Sequence, residues 1–269
     1  MFYSKREQMT KAIFFDIDGT LVSFNTHTIP DSTIRALELV HAKGIKIFIA
    51  TGRPKAIINN LAPLQDRNLI DGYITMNGAY CFVGDQVIYK SSIPEEEVKV
   101  VGRFCEKKGV PCFFVTEHQL SVCQPNELVR KIFYEFLHVD EVPVKSCEEA
   151  TRDEIFQLTP FITEEEEKEV VPYIPNCEIG RWYPAFADIT SKGNNKQKGI
   201  DEMIRHFGFD LSETMALGDG GNDIPMLSHA AIGIAMGQAN EEVKQSAHYV
   251  TTPIDEDGVW NALKHFEII

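Results

Sequence analysis

The chain has 269 residues, 43% hydrophobic and 25% charged, the proportions of a globular protein with one large or two ordinary domains. Its net charge of −14 argues against nucleic acid or an anionic membrane surface as partner, though a local cation can still draw a small anion into a cleft. No segment approaches the roughly eighteen uninterrupted apolar residues of a membrane-spanning helix.

Met1–Thr10 carries charges without an apolar core, so it does not read as a signal peptide, and a cytoplasmic location is expected. Met9 offers an alternative start that would leave Met1–Gln8 as a disordered extension. The six cysteines (Cys81, Cys105, Cys112, Cys123, Cys147 and Cys177) include no Cys-x-x-Cys pair and read as small buried hydrophobes in a reducing compartment.

In chain order, the apolar run from Lys11 to Phe15 predicts a central strand of a parallel sheet, ending in Asp16-Ile17-Asp18-Gly19-Thr20. Pro30-Asp31-Ser32 opens a helix closed by Lys43-Gly44. Ile45–Ala50 is a second strand, stopped at Thr51-Gly52-Arg53-Pro54, with a helix expected from Lys55 to about Leu64. Tyr73–Met76 is a third strand, after which Asn77-Gly78 begins a run of hairpin character through Tyr89. From about Ser91 the rhythm changes to α-β-β-α-β-α-β-β, an α+β sheet with helices on one face. Within it, Thr163 and Glu166 form a capping box, and the acidic run Glu164–Glu167 reads as a solvated helix start. From Lys196 the α/β rhythm returns: a helix Lys196–Phe207, a strand Met215–Leu217 ending in Gly218–Asp223, then alternating elements through a last strand His248–Thr251. The fold class is therefore α/β, a doubly wound parallel sheet, split at residues 1–89 and 190–269 by an inserted α+β domain over residues 90–189.

Four polar clusters fall where core strands or helices begin or end, and the carboxyl ends of a parallel sheet share one edge. Asp16 and Asp18 are costly to bury unless paired, protonated or bound to a metal. An EF-hand fails, because Leu21 and His27 stand where glycine and glutamate are needed. Thr51-Gly52 offers a hydroxyl and backbone amides to an anion, and Arg53 either adds charge or pairs with an acid. Lys196 competes with Lys192 and Lys198 for the role of buried cation. Asp219 and Asp223, separated by Gly-Gly-Asn, suit a hard cation, while Gly218–Asp223 matches neither nucleotide-loop spacing. Together these describe phosphoryl transfer with Mg²⁺. An aspartate attacking a phosphate dianion meets repulsion of about 4 kcal/mol per pair of unit charges ~4 Å apart at an effective dielectric near 20. A divalent cation and one lysine offset it.

These residues, in this order, resemble the four motifs of the haloacid dehalogenase-like superfamily, and the architecture resembles its Cof-type, subclass IIB phosphatases, with the insert as an α/β cap. The resemblance implies Asp16 as nucleophile and Mg²⁺ ligand. Asp18 becomes the general acid/base, with its backbone carbonyl on the metal. Thr51, Gly52, Lys196 and Asn222 bind the phosphoryl group, joined by Arg53, and Asp219 and Asp223 hold Mg²⁺. It implies a monomer hydrolysing small phosphorylated metabolites, sugar (hexose) phosphates foremost. The alternatives are a phosphosugar mutase and a non-enzymatic sugar-phosphate sensor. Arg181-Trp182-Tyr183, late in the insert, are the candidates for gripping a sugar, with packing of the cap sheet as their other reading.

Overall fold

The computed structural model describes residues 10–137 and 139–269, with Trp182 described by its backbone alone; Met1–Gln8 lies outside the described residues. Strands β1 (Ala12–Phe15), β2 (Lys46–Ala50), β3 (Gly72–Thr75), β4 (Tyr80–Val83) and β5 (Gln86–Lys90) come first. Then follow β6 (Cys112–Val115), β7 (Leu120–Cys123), β8 (Gln157–Pro160), β9 (Cys177–Tyr183) and β10 (Phe186–Ser191). The last three are β11 (Thr214–Gly218), β12 (Ile232–Ala235) and β13 (Tyr249–Val250). They form an eight-stranded sheet in the order β13-β12-β11-β1-β2-β3-β4-β5 and a five-stranded sheet in the order β7-β6-β8-β10-β9. The large sheet is parallel from β13 to β3 and antiparallel from β3 to β5; every pairing in the small one is antiparallel.

Strand β1 is central because its side chains are apolar on both faces. Ile13 and Phe15 enter one hydrophobic cluster, with the helices Asp31–Ala42 and Gly258–His265. Ala12 and Phe14 enter the opposite one, with Ile200, Met203 and Ile204 of the helix Lys196–Phe207. Phe14 pairs in register with Phe48 of β2, and their rings stack at 4.9 Å. Burying one such side chain contributes roughly 1.5–3 kcal/mol, so β1 is anchored on both sides. Asp16 extends the ladder, its N–H donating to the Leu217 carbonyl at 3.0 Å. The carboxyl ends of β1, β2 and β11 therefore meet at one edge.

One face of the small sheet packs on the helix Glu95–Lys108. The other shares a cluster with the large sheet, in which Phe113, Phe133 and Phe156 lie with Ile57, Met76, Tyr80 and Phe82. The segment after Pro125 opens as a short α-helix, Glu127–Val129, and continues as a π-helix over Arg130–Phe136.

Three expectations are corrected. The helix from Lys55 to Leu64 is two short pieces, a 3₁₀ turn Lys55–Ile57 and a helix Ala62–Gln65, because Ile57 is drawn into the cluster between the sheets and Arg53 donates to its carbonyl. A C-terminal helix, Gly258–His265, follows the last expected strand and buries Val259, Ala262 and Leu263. Cys123 and Cys147 form a disulfide, whereas Cys81, Cys105, Cys112 and Cys177 are free. Cysteine usage thus gives no support to a reducing compartment. No helix among the described residues is long and apolar enough to cross a membrane.

Candidate active site

The Asp-x-Asp-Gly-Thr run turns sharply after β1. Gly19 has φ +87°, and a Cβ there would lie 2.1 Å from the Asp219 Oδ2, so the two loops touch through a position that only glycine fits. Thr20 fastens this contact, its hydroxyl donating to Asp219 Oδ1 at 3.0 Å. The loop after β11 is shaped by Asp223, whose Oδ2 accepts from the backbone N–H groups of Asp219 and Gly220 at 2.9 and 2.8 Å.

Of the three candidate lysines, Lys196 reaches the centre. Its side chain is fully buried, and Nζ donates to Asp16 Oδ1 and Asp223 Oδ1, both at 2.5 Å. Lys198 is instead paired with Glu202 on its own helix. Asn195 caps that helix by accepting from the Lys198 N–H, which fixes where Lys196 begins. Asp18 takes a different partner: Arg53 donates through Nε and Nη2 to its two carboxylate oxygens at 2.7 and 2.8 Å. Nη1 of Arg53 donates to Ile57 O at 3.1 Å. Arg53 is thus buried on a carboxylate, the acid pairing that was one of its two readings from the sequence, and it also borders the cavity over the site.

Thr51 is buried with its Oγ accepting from the Arg53 N–H at 3.0 Å, which leaves the hydroxyl proton for another acceptor. A cavity of about 380 Å³ opens over these groups, lined by Asp16, Asp18, Thr51, Gly52, Asp219 and Asn222 among others. Arg181 also lines it, but its terminal nitrogens already donate to the carbonyls of Pro184, Phe186 and Ile162 and to Glu167. These bonds tie Arg181 to its own segment while it still borders the cavity. Two contributors carried no assigned role in the sequence: Thr20, signalled only by its place in the run, and Asn77, which accepts from Asn222 Nδ2 at 3.0 Å.

Charge in this pocket is unbalanced. One carboxylate oxygen each from Asp16, Asp219 and Asp223 lie within 4.8 Å of one another, with Lys196 in contact with the first and the last. Burial pushes the Asp16 carboxyl well above its usual range; Asp223 adds to this and Lys196 opposes it. Burial, with the Asp223 charge, likewise raises Asp219 to about 7 against the Thr20 hydrogen bond and Lys196. For Lys196 burial alone would lower the pKa, but the charges and hydrogen bonds of Asp16 and Asp223 carry it above the usual lysine value. An all-oxygen, electron-rich donor set short of positive charge fits Mg²⁺.

Over residues 13–263 the chain matches the family model for haloacid dehalogenase-like hydrolases. It resembles the solved structure of the HAD subclass IIB sugar phosphatase BT4131, at 75% identity and a TM-score of 0.95, covering 97% of this chain and 100% of that one. BT1666 from Bacteroides thetaiotaomicron, described among phosphatases of the same superfamily, aligns at 36% identity and a TM-score of 0.87 over 100% of this chain and 99% of its own. YkrA of Bacillus subtilis (strain 168), provisionally named a phosphatase, is 31% identical over 265 residues, 97% of this chain and 99% of that protein.

Proposed function

Because the chain belongs to the haloacid dehalogenase-like hydrolases and is a phosphoric monoester hydrolase of their Cof-type, subclass IIB branch, we propose that it hydrolyses small phosphorylated metabolites, hexose phosphates foremost, with Mg²⁺ and through an aspartyl phosphate on Asp16. One observation carries the reading: the Asp16 carboxylate, at the end of the central strand, is gripped at Oδ1 by the buried Lys196 beside a three-carboxylate cluster. The sugar preference rests on the likeness to BT4131.

Lys196 holds Oδ1 of Asp16 and leaves Oδ2 for attack on phosphorus. As the new P–O bond forms, the bond to the leaving oxygen breaks, and Asp18 gives that oxygen its proton. In the second half, water attacks the aspartyl phosphate, Asp18 takes the water proton, and Asp16 is released with inorganic phosphate. Arg53 keeps Asp18 oriented through both halves. Thr51, the Gly52 amide and Asn222 bind the phosphoryl oxygens. Asp16, Asp219, the Asp18 carbonyl and Asp223 would hold Mg²⁺. When bound, the ion supplies positive charge against the phosphate dianion. The unit over residues 90–189 is read as a cap that closes over the substrate and excludes water; the cluster joining the two sheets beside the site supports this. Small-molecule substrates agree with the −14 net charge, and we place the enzyme in the cytoplasm, where phosphorylated sugars are held by their charge, as a monomer.

Phosphate release from a panel of sugar phosphates and p-nitrophenyl phosphate, with and without Mg²⁺, tests the reading; no release from any of them sinks it. Asp16→Asn is expected to be inactive, and activity in that variant would remove Asp16 as nucleophile. Asp18→Ala is expected to lose turnover while keeping Mg²⁺ affinity, since its side chain carries protons and only its backbone faces the ion.

A further inference from the structure

One turn of the large sheet touches three of the four polar clusters. Met76, Asn77 and Gly78 have consecutive positive φ angles of 51°, 51° and 93°. Glycine adopts such a backbone readily, asparagine tolerates it, and methionine seldom does. Strain of this kind persists where the surroundings impose it and gathers at functional sites. Here the impositions are specific. The Met76 N–H donates to Arg53 O at 3.3 Å and the Asn77 N–H to Thr51 O at 3.1 Å, clipping the turn to the Thr51–Arg53 segment. Gly78 lies against Asn195, the residue before Lys196; a Cβ on Gly78 would sit 2.1 Å from the Asn195 carbonyl oxygen. The Asn77 side chain reaches the last cluster, where Oδ1 accepts from Asn222 Nδ2 at 3.0 Å.

We propose that Asn77 is a positioning residue for phosphoryl recognition, holding the Asn222 amide so that it presents an N–H, and not its carbonyl oxygen, to the phosphoryl anion. The inference rests on the proposed contact between Asn222 and that anion. A carboxamide has nearly the same shape when its two ends are exchanged, but opposite polarity. Turned the wrong way, Asn222 would face an anion with an acceptor. Asn77 presents Oδ1 and Asn222 meets it with Nδ2 at 3.0 Å, which leaves the second N–H of that nitrogen for the substrate; an aspartate at position 77, an acceptor at both ends, would keep this arrangement and no other. Asn77 and Asn222 also line a second cavity, of about 340 Å³, which shares Gly221, Asn222, Arg181 and Glu242 with the main one. The bonded pair thus stands at the junction of the two spaces.

Asn77→Gly deletes the amide at a φ that glycine accepts without strain, so the fold is expected to survive. We would run it in a double-mutant cycle with Asn222→Ala on the Mg²⁺-loaded full chain. The readouts are inorganic phosphate affinity by calorimetry and kcat/KM for p-nitrophenyl phosphate. Asn77→Gly is expected to reduce both about tenfold alone and less than about twofold in the Asn222→Ala background. Equal losses in both backgrounds, or no loss alone, would overturn the proposal. Asn77→Asp, isosteric and still an acceptor, is expected to keep kcat within about threefold while KM rises from the added charge. A kcat loss matching that of Asn77→Gly would count against positioning. If the unmutated chain binds phosphate but turns over no ester, the phosphatase reading fails while the phosphate-affinity cycle still decides the role of Asn77.

Discussion

Arg53 grips Asp18 with two parallel hydrogen bonds, Nε to Oδ2 at 2.7 Å and Nη2 to Oδ1 at 2.8 Å, in a pocket where the arginine side chain is nearly inaccessible. A planar fork on a carboxylate adds geometric specificity to the charge it supplies. Arg53→Lys supplies one point cation and cannot reproduce both bonds. It is expected to lower kcat by about tenfold, and Arg53→Met by about a hundredfold, with smaller changes in Mg²⁺ dependence. Steady-state kinetics across a Mg²⁺ titration check this; equal activity in the lysine variant would show that charge alone suffices.

Lys196 is ion-paired with two buried carboxylates at once. Removing one partner of a buried ion pair destabilises by roughly 3–5 kcal/mol, because the other charge stays behind. Lys196→Met should therefore lose both activity and folding stability in metal-free denaturant titrations. Added Mg²⁺ should restore part of the stability and none of the turnover.

The metal-free protein should become less stable between about pH 4 and pH 7. Asp219 is raised to about 7 in the fold, above its ordinary value near 3.8, so the folded state binds more protons than the unfolded chain in that window. Stability is then fully present below the lower value and is lost as pH rises through the upper one; the raised Asp16 acts in the same direction. Mg²⁺ requires ionised carboxylates, so its stabilisation, about 2.7 kcal/mol at a hundredfold excess over Kd, should be larger at pH 8 than at pH 5. Thermal melts over this range, with Asp219→Asn as reference, provide the check. A slope identical in that variant would assign the pH dependence to other groups.

Gly19 and Gly193 separate backbone strain from loop contact. Both have positive φ, +87° and +86°, but a Cβ on Gly19 would strike Asp219, whereas nothing lies within 4 Å of one on Gly193. Each change to alanine should destabilise by about 1 kcal/mol or more through strain. Only Gly19→Ala should also weaken Mg²⁺ binding, about tenfold or beyond, as measured by activity against Mg²⁺ concentration.

Much of this was legible from pattern. Strand β1 announces itself because both its faces are apolar, and the helix Lys196–Phe207 because Ile200, Met203, Ile204 and Phe207 recur at helical spacing. What escaped depends on partners distant in the chain. The Lys55–Leu64 helix looked sound locally and is broken by packing between the two sheets. The Arg53 fork joins two residues 35 positions apart in sequence and needs β1 and β2 in register, and the Cys123–Cys147 pairing needs a neighbourhood that no spacing encodes. The helix Gly258–His265, by contrast, did carry a signal in the spacing of Val259, Ala262 and Leu263.

The pairing of β1 with β11 also has a consequence for how the protein is made. Ala12 lies beside Thr214, and everything between them must leave the ribosome before the central strand acquires its second neighbour. At about 5–20 residues per second, that interval lasts roughly 10–40 s. During it the inserted sheet, whose five strands all fall between residues 112 and 191, is complete in sequence and free to fold. Asp16 meets Asp219 and Asp223 only afterwards. The carboxylate at the end of β1 therefore waits through that whole interval before the three-carboxylate cluster it belongs to can assemble.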